Sequence, residues 1–137
     1  MANEATLVIE TELPIPMTCA EATGIEKGTL LKISDPFTVA AHASDEDYVG
    51  GVAATEKIAS DGKTKIAVYR GGIFKVTASG SITAGQTVAL STSLNCVKVS
   101  DATCVSSKTF GIALETATTT ETLLVDLRPG CNANAYS

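Results

Sequence analysis

The chain has 137 residues, a formal charge of −5 and only 18% charged residues, against 45% apolar ones. That length suits one domain, or one domain with an ordered arm. The acidic balance without a Lys/Arg cluster argues against nucleic acid as the main partner. No apolar run approaches the roughly 18 residues of a membrane span. Aromatics are 4%, so Val, Ile, Leu and Ala must build the core. With abundant Thr and closely spaced turn formers, they predict an all-β domain of many short strands.

Residues 1–23 read as an N-terminal arm. Its first ten residues lack a basic region followed by an apolar one, so no secretory signal is read. Ala5 to Glu12 is β-prone, with Leu7 and Ile9 on one face and Val8 on the other. Pro14 and Pro16 then remove backbone donors and keep the segment off central strands. The arm either returns to the body as an edge strand or reaches for another subunit.

Residues 24–130 read as the body. Gly24 to Ser34 is a turn followed by a strand, and Phe37 to Ala41 is a second strand. Ser44 to Asp47 is an acidic loop, with at most one helical turn over 41–47. A strand over Val49 to Ile58 runs to an Asp61-Gly62 turn. Thr64 to Arg70 and Ile73 to Thr77 flank Gly71-Gly72, which predicts a tight hairpin. Gln86–Ser91, Cys96–Ser100, Thr109–Glu115 and Thr122–Leu127 are the remaining strands. Pro129-Gly130 ends the last, and residues 131–137 read as a C-terminal tail.

The chain repeats itself. Ile25 to Ser34 and Ile82 to Ser91 both read I-x-x-G-x-x-(L/V)-x-(I/L)-S, at an offset of about 57 residues. Gly51-Val52-Ala53 is echoed by Gly111-Ile112-Ala113, and Thr64 to Arg70 by Thr122 to Arg128. The glycine after each buried Ile supplies a permissive turn. Alternation then buries positions 31 and 33, or 88 and 90. Chance similarity between hairpins of like composition is the bland alternative. On the duplication reading, neither half buries its sheet alone, and the two close on each other as a barrel or sandwich.

The chemistry-bearing residues are sparse. His42 is the single histidine. As a general base or metal ligand it would need partners, and the nearby Asp45, Glu46 and Asp47 match no ligand spacing; a solvated polar loop is expected. Cys19, Cys96, Cys104 and Cys131 include no C-x-x-C pair, and reduced thiols are expected. Cys96 and Cys104 flank a strand pair in which they would meet only in a suitable register. No nucleophile motif, phosphate loop or carboxylate pair is present. The expectation is a protein that is not an enzyme and that uses no cofactor, no metal and no small-molecule substrate. Lys57, Lys63, Lys65, Arg70 and Lys75 form either a docking face or edge protection; the second is expected for each lysine singly.

The run from Thr64 to Lys75, T-x-I-x-V-Y-R-x-G-x-F-K in outline, is similar to the central hairpin of lambda-type head decoration proteins. Gly51-Val52-Ala53, Ile82-Thr83-Ala84-Gly85 and Gly111 to Glu115 (GIALE) follow in the order seen in tailed-phage capsid decoration, or cement, proteins. The resemblance spans about residues 24–128. It implies a small β-barrel or β-tulip with an extended N-terminal arm, here with two pseudo-repeats. It implies a homotrimer on the outer surface of the virion, made in the host cytoplasm. That trimer would bind the major capsid protein at threefold or quasi-threefold positions and stabilise the expanded shell. No nucleic acid or membrane partner is implied. The arm would carry the capsid contact, through Thr6, Leu7, Val8, Ile9, Glu10, Thr11, Leu13 and Ile15. A fibre base, adhesin or carbohydrate-binding barrel is the alternative, although few aromatics are available to stack on sugars.

Overall fold

A computed structural model of the chain describes residues 3–44, 48–99 and 108–128. The described residues hold eleven strands and no α-helix. In chain order they are β1 (Thr6–Ile9), β2 (Ile15–Thr18), β3 (Leu30–Asp35), β4 (Thr38–Ala41), β5 (Val49–Ala53) and β6 (Lys65–Tyr69). Then come β7 (Gly72–Ala78), β8 (Thr87–Leu90), β9 (Cys96–Val99), β10 (Gly111–Ala113) and β11 (Thr122–Leu127).

The duplication is visible in the pairing. β2, β4, β3, β5 and β6 close into one barrel. β7, β9, β8, β10 and β11 follow the same order, closed by a parallel β7–β9 contact that matches the parallel β2–β4 contact. Even the isolated bridges correspond, Ile25 to Lys57 and Ile82 to Ala117. Gly28 (φ 91°) and Gly85 (φ 95°) both turn through the left-handed region after their buried Ile, which only glycine enters without a Cβ penalty.

Three expectations change here. First, each half closes on itself rather than on its twin, because one parallel contact suffices to join the ends of a five-stranded ring. The halves instead share a wall. Leu31 enters the first core with Met17, Val39 and Val68. Its neighbour Leu30, with Val49 and Val52, enters the second with Phe74, Phe110 and Leu123. β3 is therefore buried on both faces, beyond the single buried face that alternation implies.

Second, Gly71-Gly72 is not a hairpin. β6 pairs with β2 and β5, whereas β7 pairs with β11, β1 and β9. The glycines mark the crossing from one barrel to the other, where the arm lies close. A Cβ at Gly71 would sit 2.6 Å from the Glu12 carboxylate, and one at Gly72 3.2 Å from the Ile9 carbonyl oxygen.

Third, the Thr64–Arg70 echo slips by one residue in space. Ala53 pairs with Val68 as Ala113 pairs with Val125, so Arg70 answers to Leu127 rather than to Arg128.

Residues 15–18, expected in the arm, are a strand of the first barrel. Pro16 is tolerated there because β2 is bonded along β6 but meets β4 only at Thr18, which leaves an edge where a missing donor costs little. Pro129-Gly130 and the tail lie outside the described residues, as do Cys104, Cys131 and the acidic residues 45–47.

Candidate capsid-contact surface

Residues 3–12 are laid across both barrels. The Ala5 amide donates to the Gly28 carbonyl at 2.8 Å on the first barrel. A Cβ on Gly28 would stand 2.6 Å from the Ala5 carbonyl oxygen, so this glycine also makes room for the arm. β1 then pairs antiparallel with β7, Thr6 to Lys75, Leu7 to Phe74 and Ile9 to Ile73, with a bulge between Leu7 and Ile9. Of the sequence alternatives, return to the body as an edge strand is the one observed.

Leu7 is half-buried and packs on the second core beside Tyr69. The Tyr69 and Phe74 rings meet edge to face at 5.6 Å, and the Tyr69 hydroxyl donates to Glu10 Oε2 at 3.2 Å. Burial first, and then the Glu10 carboxylate, hold the Tyr69 phenol above its ordinary range. The other side of the segment faces solvent: Val8 is 48% exposed, Ile9 52% and Leu13 76%. β1 ends its sheet with β7 as its neighbour, so its outer backbone edge is open among the described residues. Of the named arm residues, Thr6 to Ile9 form this strand and Glu10 and Thr11 follow it. Ile15 instead belongs to β2 of the first barrel.

The chemistry-bearing residues are structural. His42 is 2% exposed, contrary to the expected solvated loop. Its Nε2 accepts the Asn95 amide at 2.7 Å, and Asn95 Oδ1 accepts the Leu30 amide at 3.0 Å. This buried relay joins the β3–β4 region of one barrel to the β8–β9 turn of the other. His42→Ala would leave the Asn95 amide buried without its acceptor. We expect a loss of about 1–3 kcal/mol, read as a lower urea midpoint at unchanged slope.

Lys57 is likewise no edge lysine. Its side chain is 0% exposed, and Nζ donates to Glu21 O, Ile58 O and Asp61 Oδ1 at 2.7–2.8 Å. Arg70 Nη1 donates to the Gly50 carbonyl at 2.9 Å. Lys63, Lys65 and Lys75 are exposed, so the five cations do not form one face. Cys19 and Cys96 are buried free thiols, pushed up chiefly by desolvation. Among the described residues no group of three or more His, Cys, Asp or Glu could hold a metal ion.

Sequence reasoning missed Phe37. It is 57% exposed and takes φ 52° at the β3–β4 turn, an outlier for a bulky side chain. The signal was present as an aromatic between Pro36 and Thr38 in a stretch without charge.

No curated protein matches the chain. Among solved structures it is similar to the N base of the head fiber gp8.5 in bacteriophage phi29, at 16% identity and a TM-score of 0.56. The match covers 88% of this chain and 98% of that one; a likeness at that identity speaks to fold alone. Residues 9–129 match the family model for phage cement protein. That match runs through both barrels, so the chain belongs to the phage cement protein family, a structural protein that binds the outer surface of the capsid shell.

Proposed function

We propose that the protein decorates the outside of an expanded icosahedral head as a homotrimer at threefold or quasi-threefold positions, and that this stabilises the shell. The contact with the major capsid protein is made by Thr6, Leu7, Val8, Ile9, Glu10 and Thr11; Leu13 and Ile15, also expected in that contact, lie just before and at the start of β2 in the first barrel. One observation carries the reading: β1 presents an open backbone edge beside exposed apolar side chains, while its inner edge is held by β7.

Such an edge takes a strand from a coat subunit. Main-chain hydrogen bonds give affinity, and alternate side chains give selectivity. The arm works as a docked template rather than as a loose tether, so little ordering entropy is lost on attachment. Repeated contacts around a symmetric shell add by avidity. The role needs rigidity and fit, and no catalytic group. The protein is made in the host cytoplasm and ends on the outer surface of the virion.

Replacing Val8 and Ile9 together by Asp puts two carboxylates on the open edge without touching either core. We expect shell occupancy to fall at least tenfold in cosedimentation with expanded shells, with the thermal midpoint nearly unchanged. Full occupancy by the double variant would refute the arm as the contact. A second reading, the base of a head fibre, draws on the likeness to the phi29 fiber base. It expects binding at a few sites per shell rather than saturation of its surface lattice.

A further inference from the structure

Residues 13–20 and 36–44 contain no Asp, Glu, Lys or Arg, in a chain with 10 basic and 15 acidic residues. These stretches hold β2 and β4, which are neighbours in the first barrel. Met17, Cys19 and Val39 point into its core. Leu13, Ile15, Pro16 and Phe37 are exposed, and Thr38 and Ala40 are half-buried. The outward face of β2 and β4 is therefore uncharged and largely apolar, with Phe37 at its end and with Lys32 and Lys65 across from Ala40 and Thr18 on the flanking strands.

The second barrel shows what covers the equivalent place. Ile15 pairs with Val68 as Phe74 pairs with Val125, so Pro14, Ile15 and Pro16 answer to Ile73, Phe74 and Lys75. In the second barrel that edge is covered by β1, a segment of this same chain. In the first barrel it is bare, and its two prolines leave it without donors for strand addition. The Thr18 amide faces β4, donating to the Phe37 carbonyl at 2.7 Å. Alternate residues of a strand point the same way, so the donors at 14 and 16 would face the open edge, and both are proline. What packs here does so through side chains.

We propose that this wall is the face by which one copy of the chain packs against a second copy. The inference rests on the homo-oligomer reading above and gives it a surface. Copies with a net charge of −5 repel, and contact is least opposed where no carboxylate is brought against another. An interface core is depleted of charge and enriched in aromatic anchors, with charges at the rim. Lys65 occupies that rim, its Nζ 3.5 Å from Thr18 Oγ1. Phe37 keeps a backbone conformation that Asn holds at the matching turn, where Asn95 has φ 63°. A use for its ring accounts for a strained, exposed aromatic at this turn.

The test is the mass of the full-length protein in solution, by sedimentation velocity and light scattering across a dilution series. Wild type is expected as an oligomer. Phe37→Asn, which suits the turn better, and Leu13→Asp are expected as monomers with unchanged far-UV spectra. The Val8/Ile9 double variant should keep the wild-type mass. A wild type that is monomeric at every concentration would overturn the proposal, as would a Phe37→Asn protein of full oligomeric mass. So would a Phe37 variant that stays oligomeric yet no longer pellets with expanded shells, which would make the wall the capsid face. Failure of wild type to pellet would sink the decoration reading, while the masses would still decide this one.

Discussion

Phe74→Ala should lose about 3–5 kcal/mol of stability, the cost of removing a fully enclosed aromatic from a core that closes only in part around the gap. Phe74 is 1% exposed. It packs in the larger core with Val76, Phe110, Leu123 and Val125 and makes the edge-to-face contact with Tyr69 at 5.6 Å. It also sits under the arm, paired with Leu7 across β1–β7. Its loss therefore loosens the second barrel and the seat of β1 together. In a thermal melt the midpoint should drop by about 10–15 °C. A shift of a degree or two would mean that neighbouring side chains refill the space. Shell binding of the variant below its new midpoint should weaken as well, because β1 loses the surface it lies on.

Lys57→Ala should also be damaging, for a different reason. The ammonium is wholly enclosed and spends its three donors on Glu21 O, Ile58 O and Asp61 Oδ1. Removing the ammonium leaves the Glu21 and Ile58 carbonyls without their donor, at about 1–3 kcal/mol, and the packing of its buried stem is lost as well. Urea denaturation should show the lower midpoint. Lys57→Met, which fills the space but supplies no donor, should recover only part of it. The Lys57 hydrogen bond, and then the Lys63 amide at 2.9 Å, hold the Asp61 carboxyl below its ordinary value. A lowered carboxyl stabilises the fold above its unfolded value and loses that contribution as the pH falls through its folded one. Wild type should thus keep this part of its stability to a lower pH than an ordinary aspartate would allow. In Lys57→Ala the loss should begin at higher pH. Identical acid profiles for the two proteins would show that the pair contributes nothing to the pH response.

Some of this was plain in the residues themselves. β11 was read to the residue, β4, β6 and β7 to within one residue at their starts and ends, and β3 to within one residue at its end. Their alternation and flanking turn formers are contained within ten residues. Ile25 and Ile82, each followed by a left-handed glycine, could be recognised because a buried plug and a permissive turn are both local properties. The same pair exposed the duplication. The arm strand was also legible, as Thr6 to Ile9 carry an ordinary β pattern.

The errors share one cause. Gly71-Gly72 has the composition of a hairpin, and nothing within ten residues says that its flanking strands belong to different barrels. His42 and Lys57 stand in polar stretches that resemble surface. Their burial depends on Asn95, more than fifty positions away, and on Glu21, 36 positions away. The open edge of β1 and the proline-closed edge of β2 could not be told apart by pattern, since an edge is defined by which strand is missing beside it.

By itself, then, the amino-acid order determined the strand class, the internal duplication, the absence of recognisable catalytic motifs and the arm's readiness to extend. All of these follow from backbone preference and alternation over short spans. Only the tertiary structure decided that there are two rings rather than one, that the arm is seated across both, and which faces are left bare. Those outcomes depend on contacts between residues far apart in the chain, where burial and hydrogen bonding, not local propensity, select the partner.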